Sequence, residues 1–395
     1  MRARPRPALI VILGALSSFG PLSIDLYLPG LPSLTKELHA SASAAQLTLT
    51  GCMLGIGVGQ LIAGPMSDRF GRRRPLLIGL AGFTLASLAC AVMPSIWPLI
   101  AVRFIQGLVG GVGIVIARAI VRDLFGGVTA ARMFATLMAI TGIAPVLAPI
   151  LGAQILRFTS WRGTFVALAI VGLGMVAMAA FGLRETLSED KRHRGGWRES
   201  LRTIRRLSAD RSFAPYVLAL ALATCAMFAY IAGSSYVLEN VFGTSPQVFS
   251  AVFAVNSVGF ISVAQVGGRL VGRFGPATLL RWGLFALLAA SLGTLTAALV
   301  GAGLWPVLVC LFALMSSMGL VLPNATAAAM VGQPSALGAA SALIGLGQFG
   351  VGALVVPLVG VGGTHDVLPM ALIMAAGSVG AVLVDLGFAR HPRVG

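Results

Sequence analysis

Charge is what this sequence has least of. Charged residues fill 10% of its 395 positions, against about a quarter in soluble domains, while 57% are hydrophobic and the mean hydropathy is +0.94. That composition excludes an ordinary soluble globule. The four cysteines, Cys52, Cys90, Cys225 and Cys310, stand singly in apolar stretches. Without a C-x-x-C pair or a nearby histidine cluster they argue against a zinc site or a disulfide framework, and small core residues are expected instead. The four histidines, His39, His193, His365 and His391, fall in polar connections or at the terminus. The clustered groups a membrane enzyme needs are therefore missing, and no metal or catalytic residue is expected. No G-x-x-x-x-G-K-[ST] string occurs, which argues against direct ATP drive. Asn and Gln are sparse inside the apolar stretches, unlike the convergent polar groups of a sugar site or the continuous polar stripe of a channel.

What is present is length. Apolar runs able to cross a bilayer, which takes about 20 residues of helix, recur at 8–30, 46–66, 76–93, 98–120, 131–155 and 163–183, then at 213–238, 247–270, 278–299, 304–326, 335–360 and 366–388. The predicted fold is an all-α membrane protein of twelve transmembrane helices in two pseudo-symmetric six-helix bundles. Its predicted parts are 1–183, a cytoplasmic linker at 184–212, and 213–395. The linker is the one long polar segment, and residues 197–207 within it suit an amphipathic helix lying on anionic lipid. The net charge of +16 is sorted by side. All basic residues except Lys36, Arg157 and Arg162, and Arg103 within a span, fall on one face of this topology. The positive-inside rule then puts both termini in the cytoplasm. Three arginines before an apolar run mimic a secretory signal, but the run from Ala8 to Leu34 is too long for one and holds Asp25 and three prolines. It is expected to remain as the first span.

Ionisable groups inside a span are costly and point to function. Asp25, in the outer half of the first span, is the candidate proton carrier, because loss of water favours the neutral form of a carboxyl. Arg103, in the fourth span, stays charged and must bond carbonyls, amides or a carboxylate. Asp385, near the inner end of the last span, is within reach of Arg390. Arg118 and Arg122 lie one turn apart at the inner end of the fourth span, followed by Asp123. They suit a charge network with the first cytoplasmic turn. Helix faces nominate further ligand contacts: Pro21 and Leu22 beside Asp25, Leu49 and Met53 on the second span, and Gly110 on the fourth. From the second half come a stripe of Met227, Tyr230 and Ile231 and the lone amides Asn256 and Gln348. A pocket lined by Met and aromatics with few polar groups suits loose recognition of amphiphiles.

The turn between the second and third spans reads Gly64-Pro65-Met66-Ser67-Asp68-Arg69-Phe70-Gly71-Arg72-Arg73-Arg74. It resembles G-x-L-A-D-R-x-G-R-K, the signature of the corresponding loop in the major facilitator superfamily. A weaker copy, Gly268-Arg269-Leu270-Val271-Gly272-Arg273-Phe274-Gly275, follows between the eighth and ninth spans. Asp68 becomes Gly272 there, so the two halves are unequal. Arg103-Phe104-Ile105-Gln106-Gly107 is similar to the superfamily's R-x-x-Q-G motif, whose arginine is implicated in proton coupling. Gly142, Pro145, Pro149 and Gly152 on the fifth span resemble the G-x-x-x-G-P-x-x-G-G motif of antiporters, with Ala144 where the family has Gly.

Asp25-Leu26-Tyr27-Leu28-Pro29, Arg118 to Asp123, Ser160-Trp161-Arg162 and Leu322-Pro323-Asn324-Ala325 narrow the resemblance to the Bcr/CflA branch of drug:proton antiporters. That resemblance implies the major facilitator fold and export, by alternating access, of amphiphilic drugs such as chloramphenicol-type antibiotics. It implies proton coupling through Asp25 and Arg103, and a conformational switch built on Asp68, Arg69, Gly71, Arg72, Arg118, Arg122 and Asp123. Asp68 would also face the start of the eleventh span. Some relatives carry a second acid two turns before Asp25. Ser17 stands there in this chain, which implies one carboxylate and an uncharged or weakly charged drug. No cofactor is expected beyond the proton gradient. The expected partners are the drug, protons and lipid, with no nucleic acid, for a monomer in a bacterial cytoplasmic membrane. A proton-coupled metabolite or sugar transporter of the same fold is the alternative.

Overall fold

The computed structural model describes residues 7–125, 127–189, 205–210, 212–330, 337–361 and 366–388. Helices account for every regular element among them, and a helix lies over each of the twelve apolar stretches. Ten are long and apolar enough to cross a membrane alone, a bent pair makes an eleventh, and Leu343–Val359 is a shorter apolar helix. The chain packs as two compact units, Met1–Ala40 with Leu47–Trp197, and Ser41–Gln46 with Arg198–Gly395.

In the first unit the opening stretch departs from a single helix over 8–30. It consists of α1 (Pro7–Ser17), α2 (Phe19–Asp25), a 3₁₀ turn (Leu28–Gly30) and α3 (Leu31–Glu37), and bends by 50° between Ala8–Ser17 and Phe19–Glu37. The cause is local. The Pro21 ring opposes the carbonyl of Ser17, four residues earlier. The Ser17 and Ser18 hydroxyls donate back to the carbonyls of Leu13 and Gly14 at 2.9 and 3.0 Å, a pattern that bends helices. Pro29 and Pro32 then open the 3₁₀ turn and α3.

The remaining helices of this unit are α4 (Ala42–Phe70, which belongs to it from Leu47 onward), α5 (Arg73–Val92), α6 (Ile96–Leu124), α7 (Gly127–Phe158) and α8 (Trp161–Gly182). α4 outruns its predicted end at 66 and takes in Pro65. The expected eleven-residue loop therefore contracts to Gly71 and Arg72, with Gly71 at φ +85°. On α5, Ile78, Leu85 and Val92 stand exposed seven residues apart, an outward apolar stripe of the kind a bilayer covers.

The second unit contains α9 (Ala214–Tyr236, prolonged by a π turn over Val237–Val241), α10 (Pro246–Phe274), α11 (Pro276–Leu299), α12 (Leu304–Met330), α13 (Leu337–Val359) and α14 (Leu368–Phe388). Gly275, at φ +76°, ends α10 as Gly71 follows α4, so the weaker copy of the turn keeps its backbone. Asp385, buried on α14, accepts from Arg281 Nε of α11 at 3.0 Å. Arg390, the partner expected for it, lies outside the described residues. So do residues 197–204 of the proposed amphipathic stretch.

Candidate functional site

Arg103 is wholly buried on α6. Its guanidinium spreads over three acceptors: Nη1 donates to Gln106 Oε1 at 2.5 Å, Nη2 to the Ser23 carbonyl at 3.1 Å, and Nε to the Thr48 carbonyl at 3.4 Å. Gln106, one turn along α6, passes its own amide to Ser87 Oγ on α5 at 2.7 Å, and that hydroxyl donates to the Phe83 carbonyl at 2.7 Å. The Tyr27 and Phe165 rings lie 4.9 and 5.4 Å from the guanidinium carbon, and a desolvated cation over an aromatic face gains about 2 kcal/mol. The Tyr27 hydroxyl shares a hydrogen bond with Thr48 Oγ1. Among the described residues, the charge is thus held by neutral acceptors and ring faces and by no carboxylate.

Asp25 closes α2 and is 4% exposed. Among the described residues its carboxyl has no hydrogen bond and no ion pair. Arg103 instead reaches the carbonyl of Ser23, two residues before Asp25. A carboxyl in that setting costs less to bury neutral than charged. Gly152 explains how α7 reaches the same place: a Cβ there would lie 2.0 Å from the Leu26 carbonyl oxygen. Of the other fifth-span motif residues, Pro149 is buried, while Gly142 and Pro145 are half-buried on α7.

At the cytoplasmic turn, Arg72 donates from Nη1 to Asp68 Oδ1 at 2.5 Å and to Ser67 Oγ at 2.8 Å. From Nε and Nη2 it holds both oxygens of Asp123 on α6, at 2.8 and 3.4 Å. Burial alone would lower the Arg72 pKa, but the bonds and charges of Asp123 and Asp68 outweigh it and push it above its ordinary value. The expected network takes in Asp123 but leaves out three arginines. Arg118 and Arg122 occupy one exposed face of α6, and Asp123, the next position round the helix, turns toward Arg72. Arg69 is exposed and lies over the Phe70 ring at 5.2 Å. The partner expected for Asp68, the start of the eleventh span at 335, lies outside the described residues.

The nominated drug contacts divide by burial. Pro21, Leu22, Met227 and Gln348 are half-buried, whereas Leu49, Met53, Gly110, Tyr230, Ile231 and Asn256 are buried. Gly110 lies against the Phe83 ring. In the second unit the Asn256 amide donates to the Tyr230 hydroxyl at 2.9 Å, and the Tyr230 ring stacks on Phe253 at 5.5 Å.

Sequence reasoning did not single out Thr48, Ser87 or Phe165 as surroundings of Arg103. It also passed over a glycine ladder. On α4, a Cβ at Gly51, Gly55 or Gly59 would lie 2.9, 2.1 or 2.1 Å from an α6 carbonyl oxygen. One at Gly107 of α6 would lie 2.0 Å from the Cys52 carbonyl oxygen. The four-residue spacing of small residues was the available signal.

The Major Facilitator Superfamily sequence model matches residues 11–357. An "Uncharacterized MFS-type transporter YdgK" of Bacillus subtilis is 40% identical over 394 residues, covering 99% of this chain and 98% of that protein. A "Bicyclomycin resistance protein homolog" of Haemophilus influenzae is 30% identical over 374 residues, covering 95% and 94%. A "Chloramphenicol resistance protein" of Pseudomonas aeruginosa is 30% identical over 285 residues, covering 71% and 66%. Among solved structures, a D-xylose–proton symporter shares the fold with a TM-score of 0.74 at 15% identity, covering 97% of this chain and 98% of that one.

Proposed function

Because this chain belongs to the Major Facilitator Superfamily, a family of multi-pass membrane transporters rather than enzymes, we propose that it expels amphiphilic drugs from the bacterial cytoplasm in exchange for protons. The observation that carries this reading is Asp25: a buried carboxyl without a partner among the described residues, on a short helix between two breaks in the first span. Two relatives named for bicyclomycin and chloramphenicol resistance support drugs as the cargo.

In the proposed cycle Asp25 is protonated when the site opens outward and carries the proton inward. Drug binding from the cytoplasm displaces the proton. The loaded site then turns outward, the drug leaves, and Asp25 takes up the next proton. Arg103, fastened to Ser23 two residues away, ties this exchange to the backbone of α2. The proton supplies about 2.3 kcal/mol per 100 mV and about 1.4 kcal/mol per pH unit. At about 1.4 kcal/mol per decade, one proton under both gradients sustains a drug gradient of several hundredfold. The sorting of basic residues supports a cytoplasmic location for both termini.

The test is efflux of labelled chloramphenicol from intact cells, with and without a protonophore, for the wild type and Asp25→Asn. Export that the protonophore stops and the variant lacks is the expected result. Full protonophore-sensitive export by Asp25→Asn would refute Asp25 as the carrier. No export by the wild type would turn the question to a metabolite or sugar cargo.

A further inference from the structure

The turn that carries Arg72 has a second set of contacts, which the bridge to Asp68 and Asp123 does not explain. Glu185 lies three residues past the end of α8, at the start of the central linker. Its carboxylate accepts four backbone N–H bonds. Arg72 donates to Oε1 at 2.8 Å and Arg73 to Oε2 at 3.1 Å, while Thr186 and Leu187 donate to Oε1 at 3.1 and 3.0 Å. Gly71 makes room for it, since a Cβ there would lie 2.5 Å from Glu185 Oε2.

The return contacts run the other way. Arg73 Nε donates to the Leu183 carbonyl at 3.0 Å and Nη2 to the Ala180 carbonyl at 2.8 Å. The first amides of α5 therefore hold a carboxylate and the last carbonyls of α8 hold a guanidinium. Each matches the sign of its helix end and fills backbone groups the helices leave open. Burial pushes the Glu185 carboxyl up, but the four N–H bonds outweigh it and hold it below the usual carboxylate range. One more bond joins this cap to the switch: Thr186 Oγ1 donates at 3.2 Å to Asp123 Oδ2, the oxygen that Arg72 Nε meets at 2.8 Å.

We propose that Glu185 is the positioning residue of the cytoplasmic switch, and that Leu183–Leu187 is a latch fixing the Arg72 backbone while its side chain spans Asp68 and Asp123. The contacts stand on geometry alone. Their consequence for drug export rests on the reading above. A movement of the central linker would then be felt at Arg72, with no ligand passing between them.

Hydrogen–deuterium exchange of the purified full chain in lipid nanodiscs tests the latch without any substrate. Glu185→Ala is expected to speed exchange of the Arg72, Arg73, Thr186 and Leu187 amides at least tenfold, leaving the later turns of α5 unchanged. Glu185→Gln keeps the oxygen that takes three of the four bonds and should fall between. Wild-type exchange at those amides in Glu185→Ala would overturn the proposal. In drug uptake by everted vesicles, Glu185→Ala should lower the maximal rate about tenfold with KM within about twofold, and Glu185→Gln should restore most of it. Wild-type transport by Glu185→Ala would overturn the positioning role. If the wild type moves no drug, the export reading fails by itself, and the exchange experiment still decides the latch.

Discussion

Gly107→Ala is the sharpest probe of how this chain holds a buried arginine. A methyl at that position would lie 2.0 Å from the Cys52 carbonyl oxygen, where ordinary carbon–oxygen contact begins near about 3.3 Å. The obstacle is backbone, so no rotamer relieves it, and α4 and α6 must separate by roughly an ångström. Overpacking of this kind costs about 1–3 kcal/mol, and the upper end applies because both partners are helix backbone. Alanine's helix preference over glycine returns about 0.8–1 kcal/mol, leaving a net loss near 2 kcal/mol. At about 2–4 °C per kcal/mol for a unit of this size, Tm should fall by roughly 4–8 °C. The separation also reaches function. Arg103 Nε meets the Thr48 carbonyl on α4 at 3.4 Å, and an added ångström breaks that bond. Gly64→Ala on the same helix is the control, because no described residue lies within 4 Å of its Cβ; it should be neutral or gain up to about 1 kcal/mol. The assay is thermal unfolding of the purified protein in detergent, followed by proton-coupled efflux. A Gly107→Ala Tm within about 1 °C of wild type, or an equal loss in Gly64→Ala, would refute the close-contact argument.

Arg103→Lys should lose proton-coupled export and also destabilise the protein. A lysine ammonium is a compact point charge without the planar fork, and it cannot reach Gln106, Ser23 and Thr48 together. Interhelical hydrogen bonds in membranes average about 0.6 kcal/mol with a maximum near 1.7, so losing two costs about 1–3 kcal/mol, read as a Tm decrease; wild-type export by this variant would refute the role. The latch makes a prediction about pH. The Glu185 carboxyl is held below its unfolded value of about 4.3, so its contribution is complete above that value and is lost as pH falls through the lower folded one. Amide exchange at Arg72 and Arg73, corrected for intrinsic rate, should therefore stay constant from pH 7 to about 5. Release of those amides already near pH 6 would contradict it.

The features that were legible in the sequence are those carried by local pattern. Every apolar stretch became a helix, because length and hydropathy decide insertion without reference to a partner. Gly71 and Gly275 took positive φ in both copies of the turn, as a glycine after a long helix suggests. The break at Ser18 was available too, since Pro21 opposes the carbonyl four residues earlier; the continuous apolar run masked it. Of the surroundings of Arg103, the Gln106 amide one turn along the helix was legible and the rest was not. Its acceptors are two backbone carbonyls and an amide, and every residue has a carbonyl, so no residue type marks Ser23 or Thr48 in advance. Glu185 was hidden differently. In sequence it is one acid in a basic linker, and only the approach of Gly71 gives it a function.

The two buried arginines of the first unit show how one residue type serves opposite purposes. Arg72 meets two carboxylates, so its charge is cancelled where it lies, and the bridge endures for as long as Asp68 and Asp123 remain near. Arg103 meets none. Its hydrogen-bonding groups and ring faces are engaged, which makes the guanidinium stable in place, yet neutral acceptors leave its positive charge uncancelled in a medium that screens poorly. A buried carboxyl lies on the element that Arg103 holds. Asp25 is on that element, since Arg103 holds the Ser23 carbonyl of α2 and Asp25 ends α2. In the proposed exchange, loss of a proton from Asp25 leaves a charge on a short helix set between two backbone breaks, one of whose carbonyls Arg103 holds. Gain of a proton removes that charge.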